Sequence, residues 1–269
     1  MKHFISLGAG VQSSAMALMA SKGEITPMPE AAIFADTQAE PASVYRWLDW
    51  LETQLPFPVV RVSKGNLTAE ALRMRNRKAD GGAWTKSLLP VYTLESNGKK
   101  GHMQRACTYD YKVMQILKAQ RRLGGVKRGQ KTVSICSWIG ISADEALRMK
   151  DSKVAWAVNR YPLVDAGITR NDCMEWMHKH GFPPPPRSAC VYCPFHSDRE
   201  WLRLKNEEPL EFLRAVEFEA ELQRTKASTC NMRGVPFLHA SRVPLSDVVF
   251  ADSANEQLFI NECEGMCGV

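Results

Sequence analysis

The sequence predicts an α/β protein with a doubly wound, mainly parallel sheet and a helical C-terminal appendage. Three apolar stretches of strand length alternate with helical patterns in the first 62 residues, and parallel strands are joined by crossover helices. The first stretch stops at a glycine turn that opens a helix, a connection found in open α/β sheets that bind ligands. Beyond residue 165 the patterns are mainly helical. We therefore predict an α/β domain over 1–165 and a helical region over 166–269.

Apolar periodicity and turn residues predict the individual elements in chain order. After the first strand, we expect helices over 13–21, 41–55, 66–77, 107–123, 169–181, 198–206 and 209–226, and strands over 31–35, 58–62 and 131–141. Ser13 and Ser14 are expected to cap the first helix. The segment 78–105 has little periodicity and is interpreted as a long functional loop.

Composition and patterning argue against a membrane protein and favour the cytoplasm. The 269 residues are 45% hydrophobic and 24% charged, enough to bury a full core. No window approaches the roughly 18 continuous apolar residues that span a bilayer. An N-terminal stretch that resembles an export signal is interrupted by Gln12, Ser13 and Ser14. In a reducing compartment, the eight cysteines are expected to bind a metal or cluster or to act as nucleophiles.

The glycine turn after the first strand has the composition of an anion cradle. Its glycines let the backbone approach a phosphate, and the next helix presents unpaired N–H groups and partial positive charge at its N-terminus. A turn without a ligand is the alternative. The candidate phosphate-binding residues are Gly8, Ala9, Gly10, Gln12, Ser13 and Ser14. The second strand runs into Asp36 and Thr37, which we expect at the same ligand-binding edge.

Three cysteines have the setting of a metal site. Cys190 and Cys193 form a C-x-x-C pair that a run of four prolines places on a turn, which suits zinc or an iron–sulfur cluster. Cys107 heads a predicted helix, where a thiolate is favoured, and is the expected third ligand. The candidates for a fourth ligand are Cys263, Cys267, His196 and an exogenous group. A redox dithiol and a pair of buried, inert thiols are the alternatives.

Positive charge is concentrated in one segment of the chain. Between Lys99 and Lys131 there are ten Lys or Arg residues against Asp110 alone, a formal charge of +9, whereas the whole chain carries +6. A solvated helix face is the simplest interpretation of such a run. Its concentration in one stretch favours an anionic partner, either a nucleotide or an RNA or DNA strand.

Several motifs follow one another in an order seen in a known family. They are the loop at 8–14, Phe34-Ala35-Asp36-Thr37, Arg105-x-Cys107-Thr108 with Lys112, Gly140-Ile141-Ser142 with Glu145 and Arg148, Tyr161-Pro162-Leu163, and Cys190-x-x-Cys193-Pro194-Phe195. In this order they resemble the phosphoadenosine-phosphosulfate (PAPS) reductase-like family, including phage-type members. That family belongs to the PP-loop ATP pyrophosphatase, or adenine nucleotide alpha hydrolase, superfamily. The resemblance covers about residues 1–225.

The resemblance implies a Rossmann-like sheet in the 1–165 domain and an adenine nucleotide, PAPS or ATP, as its ligand. Nucleotide phosphates would lie at the 8–14 loop and adenosine near Asp36. Arg105, Lys112 and Arg148 would hold anionic groups, which suits their cationic side chains.

The same resemblance implies an oxidoreductase or sulfurtransferase that reduces a sulfonucleotide or transfers sulfur. Cys107, Cys190 and Cys193 would hold a [4Fe–4S] cluster, with zinc as the alternative. A thioredoxin-type protein would supply electrons. The other functions considered are ATP-dependent thiolation of a nucleic acid base, with the strand docked on 99–131, and a non-catalytic, zinc-stabilised nucleotide-binding module.

Two loop positions depart from the PP-loop pattern S-G-G-x-D-S. Ala9 and Gln12 stand where that pattern has Gly and Asp. An amide binds phosphate but cannot replace Asp as an anionic Mg²⁺ ligand. The departure favours chemistry at sulfur over cleavage of ATP.

The C-terminal tail supplies the predicted nucleophile. Glu262-Cys263-Glu264-Gly265 resembles the E-C-G-L-H tail of sulfonucleotide reductases, whose cysteine attacks the sulfur atom of the substrate. Cys263 is therefore predicted to be catalytic together with Lys112 and Arg148. A cluster ligand and one half of a Cys263/Cys267 redox pair are its alternative roles.

Overall fold

The computed structural model describes residues 1–77, 81–229 and 233–251. The strands are β1 (Lys2–Leu7), β2 (Ala31–Asp36), β3 (Val59–Ser63), β4 (Met74–Asn76), β5 (Ala83–Thr85), β6 (Tyr92–Leu94), β7 (Lys100–His102), β8 (Ile135–Ile139), β9 (Ala157–Arg160) and β10 (Val235–Phe237). The α-helices are α1 (Val11–Ser21), α2 (Ala42–Gln54), α3 (Leu67–Leu72), α4 (Met114–Gly124), α5 (Pro162–Asp165), α6 (Arg170–Lys179), α7 (Asp198–Glu207) and α8 (Pro209–Ala227). A π-helical turn, Thr108–Val113, leads into α4, and 3₁₀ turns cover Ala143–Arg148 and Leu245–Asp247.

A five-stranded parallel sheet is the framework, in the order β3-β2-β1-β8-β9. Alternate side chains of its strands enter two separate apolar clusters. Ile5 and Trp138 pack with residues of α1, α2 and α6, whereas Phe4 and Ile135 pack with residues of α4. Because side chains alternate across a strand, the sheet is covered by helices on both faces. The predicted α/β class with a doubly wound parallel sheet is confirmed.

The described residues form two compact units, each built from two separate stretches of chain. The first unit comprises Met1–Lys64 and Thr108–Ser188 and holds the parallel sheet. The second comprises 65–107 and 189–251 and holds α3, α7, α8 and two small antiparallel sheets, β10-β6-β7 and β4-β5. This division differs from the predicted continuous domains 1–165 and 166–269. α6 belongs to the first unit, where Cys173 and Met177 enter the core beside α1.

Most of the long elements lie close to their predicted bounds. These are α1, α2, α6, α7, α8, β2 and β3. At the start of α6, the Thr169 hydroxyl accepts the Asp172 N–H while the Asp172 carboxylate accepts the Thr169 N–H, a reciprocal capping box. Among the helices in the described ranges, none has the length and apolarity needed to cross a membrane.

The predictions were wrong where short strands pair with distant partners. The helix expected over 66–77 ends at Leu72, because residues 74–76 pair with β5. The described part of the expected loop 78–105 contains β5, β6 and β7, and β6 pairs with β10, more than a hundred residues away. The strand expected over 131–141 is confined to Ile135–Ile139, and β9 and β10 were not predicted. Strands of three or four residues are too short to show a period of two.

Candidate functional site

The carboxyl ends of β1 and β8 meet where the strand order of the sheet reverses. The chain runs outward from β1 through β2 and β3 on one side, and later adds β8 and β9 on the other. Ser6 lies opposite Ile139 in the register, so the turn after β1 and the segment after β8 are neighbours. Open parallel sheets bind ligands in the crevice at such a switch point. Residues 8–14 and 140–148 therefore form the candidate site.

The turn after β1 brings its backbone tightly around to the N-terminus of α1. Ala9 adopts φ +61, the left-handed region that favours glycine. Gly10 is the extended N-cap of α1 and provides no side-chain cap. The first helical bond runs from the Ser14 N–H to the Gly10 carbonyl, at 3.0 Å. The N–H groups of the preceding turn have no intrahelical acceptor, as at every helix start, so this end of α1 is suited to an anion.

The two serines do not cap α1, contrary to the prediction. The Ser13 hydroxyl accepts the Gly8 N–H at 3.1 Å, and the Ser14 hydroxyl accepts the indole N–H of Trp47 at 3.0 Å. Both serines are fully buried. Their hydroxyls hold the turn against α1 and α2, and the extended Gly10 takes the capping position.

Gln12 links the turn to the segment that follows β8. Its side chain is almost completely buried, and its Nε2 donates to Glu145 Oε2 at 3.2 Å and to the Ser142 hydroxyl at 3.4 Å. Its Oε1 accepts a hydrogen bond from Arg170 Nη1 at 2.8 Å. The amide thus satisfies a carboxylate with one end and a guanidinium with the other.

Arg148 joins the same network through Glu145. Its Nη1 lies 2.5 Å from Glu145 Oε1, so the guanidinium has a carboxylate partner within the protein. Arg170 was not predicted as a site residue. It is 7% exposed, and its backbone N–H donates to Asp144 Oδ1 at 3.1 Å. The capping box fixes Arg170 as the first residue of α6, where its side chain reaches Gln12. In the sequence, the same box indicated the start of a helix but not a site residue.

A second polar cluster lies beyond the carboxyl end of β2. Asp36 Oδ1 accepts the Tyr45 hydroxyl at 2.8 Å and the Gln38 N–H at 2.7 Å. The pKa of Tyr45 is raised above its ordinary value. The larger cause is burial, which disfavours the charged phenolate, and the second is the hydrogen bond to the Asp36 carboxylate, which an ionised Tyr45 would lose. Thr37 is buried beside Asp36. The carboxylate that was predicted near adenosine is therefore fixed in place by protein donors.

Lys112 forms a buried ion pair. Its Nζ lies 3.1 Å from Glu40 Oε1, with 6% and 0% of the two side chains exposed, and the Ser188 hydroxyl donates to Glu40 Oε2 at 3.4 Å. Lys112 lies on the π-helical turn, a distortion often found at functional sites. In the structure, Lys112 holds the carboxylate of Glu40. The catalytic role predicted for Lys112 stays a prediction.

The three predicted thiol ligands lie in the second unit and are partly exposed. The Cys193 N–H donates to the Cys190 carbonyl at 2.9 Å, which closes the C-x-x-C turn. The pKa of the buried Tyr192 is raised, first by burial and then by electrostatic interaction with the thiols of Cys190 and Cys107. Across 1–77, 81–229 and 233–251, no three His, Cys, Asp or Glu side chains are grouped to hold a metal ion.

Of the other residues predicted to belong to the thiol region, two have protein contacts and two lie outside the described residues. Nε2 of His196, a candidate fourth ligand, lies 3.0 Å from the Cys190 carbonyl oxygen. The Arg105 guanidinium lies 5.4 Å from the centre of the Phe195 ring. Cys263 and Cys267 lie outside the described residues. In donor chemistry, the partly exposed thiols of Cys107, Cys190 and Cys193 fit zinc or an iron–sulfur cluster.

The basic run is divided between the two units. Lys99, Lys100 and Arg105 belong to the second unit, and the cations from Lys112 onward belong to the first. Lys112 is buried. The exposed members in the first unit are Lys118, Arg121, Arg122, Lys127, Arg128 and Lys131. These six side chains are the exposed cations of the run in the first unit.

No family model matches the chain, and no curated protein matches it. The fold and the geometry of the switch point are therefore the basis for a functional proposal.

Proposed function

We propose that the chain is an enzyme of the PAPS-reductase-like type, which binds an adenine nucleotide at the switch point and carries out chemistry at sulfur. The observation that carries the proposal is the meeting of the α1 N-terminus with two guanidiniums around the buried Gln12 amide: Arg170 donates to it directly, and Arg148 reaches it through Glu145. Two guanidiniums and a helix N-terminus at the carboxyl edge of a parallel sheet supply what a phosphate needs.

The neutral side chain at position 12 supports binding over ATP cleavage. Gln12 is held by Glu145 and Arg170 at once, so its amide is oriented before a ligand arrives. Its Nε2 uses both hydrogens on Glu145 and Ser142, and its Oε1 offers only a neutral ligand to Mg²⁺, which prefers carboxylates. A nucleotide that leaves intact after reaction at sulfur requires no anionic metal ligand from the loop.

The reaction proposed is thiolate attack on the sulfur of the sulfonucleotide. The new bond joins the cysteine sulfur to the sulfonyl sulfur, and the bond from that sulfur to the phosphate oxygen breaks, so the nucleotide leaves as its phosphate anion. A dithiol of the thioredoxin type then attacks the cysteine sulfur of the S-sulfonate and releases sulfite. The donor's second thiol resolves the mixed disulfide, so the donor is oxidised by two electrons and the enzyme thiol is restored. Cys263 is the proposed nucleophile, and cationic side chains stabilise the leaving phosphate.

The thiols of Cys107, Cys190 and Cys193 are proposed to hold a [4Fe–4S] cluster or a zinc ion. Thiolates are the ligands that both prefer. When bound, such a centre would place positive charge or an electron acceptor next to these residues. The three thiols are partly exposed and so accessible from solvent, and because no three such ligands are grouped in the described residues, they would have to move together around the ion.

Calorimetric titration with adenosine 3′,5′-bisphosphate tests the nucleotide site. Arg148→Gln and Arg170→Gln are each expected to weaken binding at least tenfold, since a hydrogen bond to a charged group contributes about 1.5–3 kcal/mol. Arg61→Gln is the matched control, because Arg61 pairs with Asp49 and Glu52 on the surface of β3. If the unmodified chain does not bind the nucleotide, or if all three variants bind equally, the proposal is wrong.

A further inference from the structure

A cavity of about 310 Å³ lies in the first unit between α4, the end of β8, and the segment 148–161. Its floor is apolar and includes Val113, Leu117, Ile139 and Ile141. Its volume is at the lower end of the range of about 300–1,000 Å³ that small-molecule sites occupy. None of the loop residues 8–14 is among its lining residues, so it is separate from the phosphate loop.

The rim of this cavity is positively charged. The lining includes one carboxylate, Asp151, and five cations, namely Lys118, Arg121, Arg148, Lys150 and Lys153. Lys118, Arg121, Lys150 and Lys153 are exposed. An apolar floor beneath a cationic rim suits a ligand with a flat or apolar body and an anionic group.

Aromatic side chains supply stacking surfaces at the same cavity. Tyr109, Trp156 and Tyr161 are lining residues, and Tyr109 is 43% exposed. Aromatic faces beside cations are the features with which proteins hold nucleobases and the attached phosphate.

Asn159 places at this cavity a hydrogen-bond acceptor that lacks a donor among the described residues. Its Nδ2 donates to the Lys150 carbonyl at 2.8 Å, which fixes the orientation of the amide, and it lines the cavity. Its Oδ1 is buried and has no hydrogen-bond partner in the described parts of the chain. A buried acceptor without a donor is rare in proteins, so a ligand donor is expected to complete it. The exocyclic amino groups of adenine and cytosine are such donors, whereas uracil presents a carbonyl there.

We propose that this cavity binds a nucleobase with an exocyclic amino group and places the attached phosphate on the cationic rim. The base belongs to a free nucleotide or to a single strand, because both present the same base and phosphate. The cavity shares Arg148 and Ile141 with the candidate site at the switch point but none of the loop residues 8–14, and a base bound here goes beyond the proposed function.

The test compares CMP with UMP, and oligo(dC) with oligo(dT), on the full-length protein by calorimetry and fluorescence anisotropy. The cytosine probe of at least one pair is expected to bind at least tenfold more tightly than its partner. Binding of both mononucleotide and oligonucleotide indicates a free nucleotide as the source. Binding of the oligonucleotide alone indicates a strand, with affinity that falls steeply with salt. Equal affinity for the two members of each pair, or no binding of any probe, would overturn the proposal.

Two variants locate the binding in this cavity. Leu117→Trp fills the floor and is expected to weaken binding of the cytosine probe at least tenfold, with the exposed Leu213→Trp as its control. Lys118→Glu reverses a rim charge and is expected to weaken binding severalfold, whereas Arg128→Glu makes the same change in the same basic segment away from the cavity. Thermal unfolding verifies that each variant is folded. If neither Leu117→Trp nor Lys118→Glu weakens binding more than its control, the ligand binds elsewhere and the proposal fails.

Discussion

Gln12 Nε2 donates a hydrogen bond to Glu145 Oε2 over 3.2 Å, which ties the turn after β1 to the segment after β8. The two residues are 133 positions apart in the chain. Because Gln12 is buried, a charge at this position would meet Glu145 with little solvent screening. The pair therefore explains why a neutral side chain suits this loop.

We expect Gln12→Glu to destabilise the fold at neutral pH. The change keeps the shape of the side chain but sets two carboxylates against each other, a cost that the added attraction to Arg170 offsets only in part. Repulsion raises the carboxyl pKa in the folded state, so the loss is small in acid and grows as pH rises through the ionisation of the pair. Urea unfolding from pH 4 to 8 measures it. The double variant Gln12→Glu/Glu145→Gln is the control, and a loss that persists there contradicts the explanation.

Replacing Lys112 with methionine is expected to cost about 3–5 kcal/mol, since it leaves Glu40 buried and unpaired. The exposed Lys127→Met is the matched control and is expected to stay within about 0.5 kcal/mol of the parent. Adding Glu40→Gln to Lys112→Met removes the orphaned charge and is expected to recover part of the loss. Chemical denaturation gives the three values, and a cost below about 1 kcal/mol for Lys112→Met would show that the pair is not important for stability.

Ala9 is expected to tolerate glycine better than valine. At φ +61 an L side chain costs about 1–2 kcal/mol. Ala9→Gly removes this cost, and the gain offsets the loss of the buried methyl group, which is about 0.8 kcal/mol. Ala9→Val adds a β-branched side chain to that strain and is expected to be clearly destabilising. Ala17→Gly, in the buried middle of α1, is expected to show the ordinary loss of about 1 kcal/mol. Equal losses for Ala9→Gly and Ala17→Gly would contradict the strain.

Tyr45 is expected to make stability fall in alkali. Its pKa is raised in the folded state, so its contribution is complete below the ordinary tyrosine pKa of about 10 and is lost as pH rises above it. Urea unfolding from pH 8 to 11 should show a smaller decline for Tyr45→Phe than for the parent. Tyr92 and Tyr192 also have raised pKa values, but they contribute equally to both proteins. Parallel declines would show that Tyr45 ionises normally.

The thiol centre is tested by metal content and the visible spectrum after anaerobic purification. We expect bound iron with visible absorbance, or colourless protein with zinc, and loss of that metal in Cys190→Ser/Cys193→Ser. Cys173→Ala changes a fully buried cysteine of α6 and should retain the metal. Metal content that is unchanged by the double substitution would remove Cys190 and Cys193 from the site.

Local pattern was sufficient for the first three strands of the parallel sheet and for α1, α2 and α6, but not for β9. The apolar run before Gly8 and the residues of α1 and α2 carry their structure in their own periodicity. The strands β6 and β10 do not, since each has three residues and gains its conformation from a partner far along the chain. The π-helical turn before α4 likewise has no sequence pattern that separates it from an α-helix.

The candidate site was predictable by position but not by pairing. Gly8, Gln12 and Asp36 were selected because they follow the carboxyl ends of strands, which parallel strands place at one edge, whereas Arg148 was selected from the family resemblance. Their hydrogen-bond partners depend on where α6 and the segment after β8 come to lie, which spacing does not encode. For that reason Arg170 was missed.

Chemistry at sulfur is measured as sulfite release from PAPS by the anaerobically purified full chain with a reduced thioredoxin-type dithiol. We expect one sulfite for each dithiol oxidised, no sulfite from Cys263→Ser, and undiminished release from the control Arg61→Gln. Bound nucleotide without any sulfite release from the unmodified protein would contradict the claim that this chain performs chemistry at sulfur.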